Sequence, residues 1–159
     1  MESKNHIGLK NEETQQLGEK LNLLLANYSV FYQNTRGFHW NIKGDTFFEL
    51  HEKFEELYDD LVIKIDEVAE RILTLGYTPE HQYSKYVEAA DISESDKISN
   101  GRKAAEHILE ALKVTVTLQR EILELADEAG DEGTNALMSD YISEQEKLVW
   151  MYAAYLDRD

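Results

Sequence analysis

From Phe47 to Leu75 the chain sets an apolar residue every three or four positions without a break: Phe47, Leu50, Phe54, Leu57, Leu61, Ile65, Val68, Ile72 and Leu75. That period belongs to an α-helix with one face in a core, and it cannot be laid out as a half-buried strand. Gly76 follows where a helix C-terminus favours glycine, and Pro79, the sole proline, confirms the stop. The spacing predicts a helix from about Thr46 to Leu75. The same rhythm recurs three times. Leu17, Leu21, Leu24, Tyr28, Phe31 and Phe38 predict a helix over about Glu12 to Phe38, with Thr35 filling a gap. Ala105, Ile108, Leu109, Leu112, Val116, Ile122, Leu123 and Ala126 predict one over about Ser99 to Ala129, ended by Gly130. Leu137, Tyr141, Leu148, Met151, Tyr152 and Tyr155 predict the last, over about Gly133 to Leu156.

The links order these helices. Trp40 to Asp45 joins the first pair and little more than Gly130 to Gly133 joins the last, and short links force antiparallel neighbours. The middle link, Tyr77 to Lys97, is long enough to cross the bundle and to hold a short helix over Ser84 to Ala90. The expected fold is all-α: a four-helix bundle whose long middle crossover carries a short extra helix, the connectivity of ferritin-like folds. Residues 1–159 read as one domain, with about 1–11 as an N-terminal tail.

A hydrophobic fraction of 42% supplies a core. No apolar run approaches the roughly 18 residues of a membrane helix. Met1 to Lys10 lacks the apolar stretch of a secretory signal, and there are no cysteines, so the expected compartment is the cytoplasm. Thirty-two acidic against 16 basic residues give a formal charge of -16, a surface that attracts cations and repels phosphate. The same charge would serve solubility alone.

His39 stands at the end of the first predicted helix. His51 and Glu55 are four apart on the second, as are Asp66 and Glu70 further along. At ~100° per residue, these four positions of the second helix fall within roughly a third of its circumference. Imidazole with carboxylate suits iron and other borderline divalent metals, although an i, i+4 His–Glu pair is also an ordinary surface pair. Glu55 and Asp66 are ~16 Å apart along the axis, so one helix cannot bring both pairs to one ion. A second, antiparallel copy of this helix about a two-fold axis can. An intra-bundle di-iron site needs Glu-x-x-His on two helices, and none of the five histidines (His6, His39, His51, His81, His107) has a glutamate three residues before it.

The segment FHWNIKGDTFFELHEKFEELYDDLVIKIDEVAER, Phe38 to Arg71, resembles the signature of the Dps family, the mini-ferritins described as DNA-binding proteins of starved cells. LVWMY, Leu148 to Tyr152, is similar to that family's last helix. The resemblance implies that His39, His51 and Glu55 ligate iron from one subunit, Asp66 and Glu70 from its two-fold partner, with Trp40 beside the centre as a redox neighbour. Glu55 stands where the family usually has aspartate, which keeps the carboxylate and shifts its reach. The resemblance further implies a hollow homododecamer. It would oxidise ferrous iron with hydrogen peroxide or oxygen and store ferric mineral inside, protecting against oxidative stress. Zinc would compete at such a centre.

Iron would enter through acidic pores lined near the start of the last helix, where Asp131, Glu132 and Asp140 are the candidates. Ala136 falls where relatives can carry another acid. Carboxylates also favour helix N-termini without any pore. Glu52, Glu56 and Asp59 are candidates for mineral nucleation, and Trp40 and Trp150 are read as core aromatics. The alternative function is a nucleoid-associated DNA-binding protein. Phosphate contact needs Lys and Arg, and the first ten residues hold only Lys4 and Lys10 against Glu2, so direct DNA binding is not expected.

Overall fold

The computed structural model describes residues 3–158. Five helices follow in order: α1 Asn11–Asn41, α2 Phe47–Thr74, α3 Tyr83–Ala89, α4 Gly101–Glu128 and α5 Glu132–Tyr155. The four long ones lie within three residues of the periodicity's bounds, and α3 is the short helix of the crossover. Helix α1 packs on α2, α4 on α5, and α1 on α4, with α3 against α1. No β-strand occurs among the described residues, only isolated bridges between Lys4 and Lys10 and between Lys43 and Asn100. No described helix is long and apolar enough to cross a membrane.

The stops are made as the glycines suggest. Gly76 adopts φ +94° and Tyr77 N donates back to Ile72 O (3.0 Å). Gly130 adopts φ +68° and Asp131 N donates back to Ala126 O (2.8 Å). Both are left-handed caps that satisfy the carbonyls a helix end leaves bare.

The apolar stripes meet in one core that includes Leu17, Leu21, Phe31, Phe54, Leu61, Ile72, Ile108 and Ile122. At its centre lies a polar cluster. The Tyr28 phenol donates to Gln119, Gln145 Nε2 donates to Tyr28 Oη (2.9 Å), and Thr115 donates to Gln145 Oε1 (2.7 Å). Lys64, 3% exposed, holds its ammonium between Asp60 (2.7 Å) and Glu144 (2.6 Å), over the ring of Tyr141. Burial pulls the Lys64 pKa down, but the bonds from Asp60 and Glu144 more than offset that and leave it above its ordinary value.

Three asparagines of α1 pin the crossover. Asn22 Oδ1 accepts from Glu80 N (2.9 Å), Asn27 Oδ1 from Asp91 N and Ile92 N (2.9 and 3.0 Å), and Asn34 Oδ1 from Ser95 N (2.9 Å). Residues 3–10, read from sequence as most of a tail, fold back: Asn11 N donates to Ser3 O (2.9 Å) and Asn5 Nδ2 to Leu75 O (3.4 Å). Met1 and Glu2 of that segment, and Asp159 at the other end, lie outside the described residues.

The sequence reading of both tryptophans as core aromatics is corrected: Trp40 is 56% and Trp150 66% exposed. Each lies off the buried stripe of its helix, where Phe38, His39 and Tyr152 take the inward positions. Met151 and Tyr155 are also part-exposed and line a groove between α2 and α5 with Leu50, Leu57 and Tyr152.

Arg71 joins the end of α2 to the start of α5. Its guanidinium reaches Asp131 (2.6 Å) and Thr134 Oγ1 (2.9 Å) and lies across Gly133, where an added Cβ would come within 2.7 Å of it. Gly133→Ala is therefore expected to displace Arg71 and strip Asp131 of its cation. A cost of about 1–2 kcal/mol is expected, for the charge-assisted bond lost from a buried carboxylate less the helix propensity alanine regains. Urea unfolding of the variant would check it, and an unchanged midpoint would refute it.

Candidate metal centre

Helix α1 continues to Asn41, so His39 lies in its last turn, 6% exposed. There it faces His51, early in α2. The imidazoles stack with centroids 3.7 Å apart and planes 11° from parallel. His39 Nδ1 lies 2.6 Å from the His51 carbonyl oxygen, and His51 Nδ1 lies 2.7 Å from the His39 carbonyl oxygen. A carbonyl can only accept, so each Nδ1 carries the proton and donates, and each Nε2 keeps its lone pair. The His39 carbonyl is among those that a helix C-terminus leaves without an intrahelical partner. One pair of bonds thus closes a helix end and fixes two rings as the tautomer that ligates through Nε2. Phe47 stacks on the outer side of His51 (4.8 Å), and Tyr58 meets His39 edge-on (5.3 Å).

Glu55, Asp66 and Glu70 are exposed on α2. That helix runs unbroken from Phe47 to Thr74, so the ~16 Å between Glu55 and Asp66 stands. The fold brings His39 and His51 together and leaves Asp66 and Glu70 apart from them. Among the described residues of one chain, no group of three or more His, Asp or Glu side chains could hold a metal ion.

The face that bears these residues is also apolar. Val62 (43% exposed) stands out from α2 between the candidate ligands, and Phe48 (79%) and Leu73 (58%) flank them. An antiparallel copy of α2 set so that His51 opposes Glu70 and Glu55 opposes Asp66 also sets Phe48 opposite Leu73. Phe48 and Leu73 lie within roughly 20° of one another around the helix.

Of the other candidates, Trp40 lies under the Arg36 guanidinium (4.8 Å), which also covers Tyr32 (5.3 Å). Asp131 is 2% exposed and caps α5, accepting from Thr134 N (3.0 Å) and from the Arg71 guanidinium. Glu132 and Asp140 are exposed, as are Glu52, Glu56 and Asp59, with Glu56 paired to Lys53 at 3.1 Å. Phe47, Tyr58 and Arg36 escape a search for ligands because aromatic and cationic side chains at helical spacing read as packing or solvated charge. Only contact with the two histidines marks Phe47 and Tyr58, and only its place over Tyr32 and Trp40 marks Arg36.

A model of the ferritin-like domain matches residues 18–159. The DNA protection during starvation protein of Porphyromonas gingivalis is 47% identical over 148 residues, covering 93% of each chain. The crystal structure of a Dps protein from Vibrio cholerae, described as a member of a broad superfamily of ferritin-like diiron-carboxylate proteins, superposes with a TM-score of 0.96 at 56% identity, covering 98% of each chain. A Listeria innocua Dps structure soaked with zinc superposes with a TM-score of 0.85 at 31% identity, over 89% of this chain and 97% of that one. On the family model, the identity to its relatives and the shared fold, the chain belongs to the Dps family of ferritin-like proteins.

Proposed function

We propose that the chain is a ferroxidase that oxidises ferrous iron, preferentially with hydrogen peroxide, and stores the ferric product inside a closed dodecamer. What carries the reading is the outward face of α2, where candidate ligands and exposed apolar residues obey one antiparallel register. Iron here is substrate and cargo. The Nε2 atoms of His39 and His51 with Glu55 bind it from one subunit. Asp66 and Glu70 bind it from the two-fold partner, and two equivalent sites form per dimer. Imidazole holds the ferrous ion, and carboxylates, as hard oxygen ligands, stabilise the ferric product. Two ferrous ions held close together supply the two electrons that convert peroxide to two waters, so no hydroxyl radical is released. Zinc fits the same donors and competes.

Glu132 and Asp140, with carboxylates exposed, are the better candidates for a pore lining, because Asp131 is committed to its cap and to Arg71. Glu52, Glu56 and Asp59 are candidate nucleation sites.

Anaerobic titration with ferrous ion, followed by peroxide, tests the site directly. The expected result is saturable binding, then oxidation of two ferrous ions per peroxide, by particles of twelve chain masses in light scattering. A monodisperse monomer that binds no iron would sink the proposal. For DNA, the charge of -16 per chain predicts no mobility shift of plasmid near physiological salt without divalent ions. A tight, salt-sensitive shift would favour the nucleoid reading.

A further inference from the structure

The groove between α2 and α5 has a sulfur in its wall. It encloses about 540 Å³, and Leu50, Leu57, Leu148 and Tyr152 line it together with Met151. The chain has no cysteine, so thioethers are its softest nucleophiles. Its three methionines stand in different settings. Met1 lies outside the described residues. Met138 is 0% exposed within the core, whereas Met151 is 42% exposed. The charges at the groove leave one cation over. Glu56 is paired to Lys53 (3.1 Å), and Asp60 (2.7 Å) and Glu144 (2.6 Å) both hold Lys64. Lys147 is exposed, lines the same groove and makes no ion pair among the described residues. It stands four residues before Met151 on α5, so the two share one face. A methionine on a helix leans back over the turn before it, here toward Lys147. An accessible thioether thus has an uncommitted ammonium beside it.

We infer that Met151 is a reversible modification site: when hydrogen peroxide outlasts ferrous iron, its thioether takes one oxygen and becomes a sulfoxide, with Lys147 as the proton donor. The inference rests on the iron-oxidising reading only for the identity of the oxidant, since the step itself draws no electron from iron. A sulfur lone pair attacks one peroxide oxygen, the O–O bond breaks and an S–O bond forms. The departing oxygen takes a proton from the Lys147 ammonium and leaves as water. The hydroxyl now on sulfur returns its proton to the Lys147 amine. Sulfur is oxidised by two electrons and peroxide is reduced by two. The change sets a polar oxygen in an apolar wall, where the ammonium donates a hydrogen bond to it. Reversal needs two electrons and two protons from a pair of thiols, and releases water. This chain has no thiol, so a thiol-dependent sulfoxide reductase must supply them.

The test treats the assembled, iron-free protein with excess hydrogen peroxide and follows the peptides that carry Met138 and Met151 by mass spectrometry. The expected result is a gain of one oxygen at Met151, severalfold faster than at Met138. Lys147→Gln should slow that gain severalfold, and Lys147→Arg, which keeps a cation and its donors, should restore most of it. A methionine sulfoxide reductase supplied with a dithiol should then remove the oxygen from the folded protein. Equal rates at the two methionines, or a Met151 that stays unmodified, would overturn the inference. An unchanged rate in Lys147→Gln would overturn the part given to Lys147, and an oxygen removable only after unfolding would overturn reversibility. The comparison of Met151 with Met138 needs no substitution, so poor folding of a variant cannot shelter the idea. None of these measurements contains iron, so their failure leaves the ferroxidase reading standing. Failure of that reading shows separately, as ferrous iron left unoxidised by peroxide.

Discussion

Chains carrying His51→Ala and chains carrying Asp66→Ala are expected to be nearly inactive alone and to recover iron oxidation when unfolded and refolded together. The reason is the length of an uninterrupted helix. His51 and Glu55 stand near the start of α2, Asp66 and Glu70 towards its end, and nothing between Phe47 and Thr74 bends them together. If each site takes its ligands from two chains, a mixed dimer has one site with both defects and one with neither. Activity then returns to about half per mixed dimer, provided the sites act independently. If each site lay within one chain, every site would keep one defect and mixing would restore nothing. Mixed dimers, confirmed by mass, that stay as inactive as their parents would end the shared-site reading.

Alkaline pH should unfold the protein steeply, through the tyrosines of its core. Tyr28, Tyr141 and Tyr152 are all buried, and burial raises each phenol above its ordinary value of 10.0, helped at Tyr141 by the bond to Glu67 and at Tyr152 by the charge of Glu56. A raised folded pKa means that the folded chain keeps a proton the unfolded chain has lost. The phenols' contribution to stability is therefore level below about pH 10 and falls as pH rises beyond it. Each phenol contributes up to about 1.4 kcal/mol per pH unit, so three approach about 4 kcal/mol per unit once the unfolded chain is mostly ionised. Lys64, also raised, adds in the same direction. Urea unfolding at steps from pH 9 to 11 would show the slope, and Tyr152→Phe should reduce it by up to about 1.4 kcal/mol per pH unit. A flat profile across that range would show that these phenols ionise in the folded protein as readily as in the unfolded one.

The helices were legible because burial repeats at the helical period: Phe47 to Leu75 marks α2 to within a residue at each end. Gly76 and Gly130 were legible as stops for a steric reason that glycine alone relieves. The path of the crossover was not. It is held by Asn22, Asn27 and Asn34, whose spacing has no period and whose partners are backbone groups some sixty residues on. The tryptophans misled because an aromatic ring near an apolar stripe counts as core in a sequence, whereas a rotation of about 100° about the helix axis takes the next residue outside it. At the candidate centre, arithmetic grouped four residues of α2 and set the pair His51 and Glu55 too far from the pair Asp66 and Glu70 for one ion. It could not show that His39 and His51 hold one another, because each bonds to a carbonyl, a group every residue has.

That mutual hold bears on how such a site can change over generations. Each histidine is at once a candidate donor and the anchor that orients the other, through a backbone atom that persists whatever side chain is present. Losing His51 leaves the carbonyl of His39 at the end of α1 unanswered and removes the ring stacked on His39, although the bond from His39 to the carbonyl of residue 51 persists. Losing His39 likewise removes the ring stacked on His51. Neither position therefore offers a neutral first step, and the two histidines are expected to be kept or discarded as a pair in descendants of this chain. The exposed carboxylates on α2 hold up no neighbour of this kind and are open to exchange one at a time.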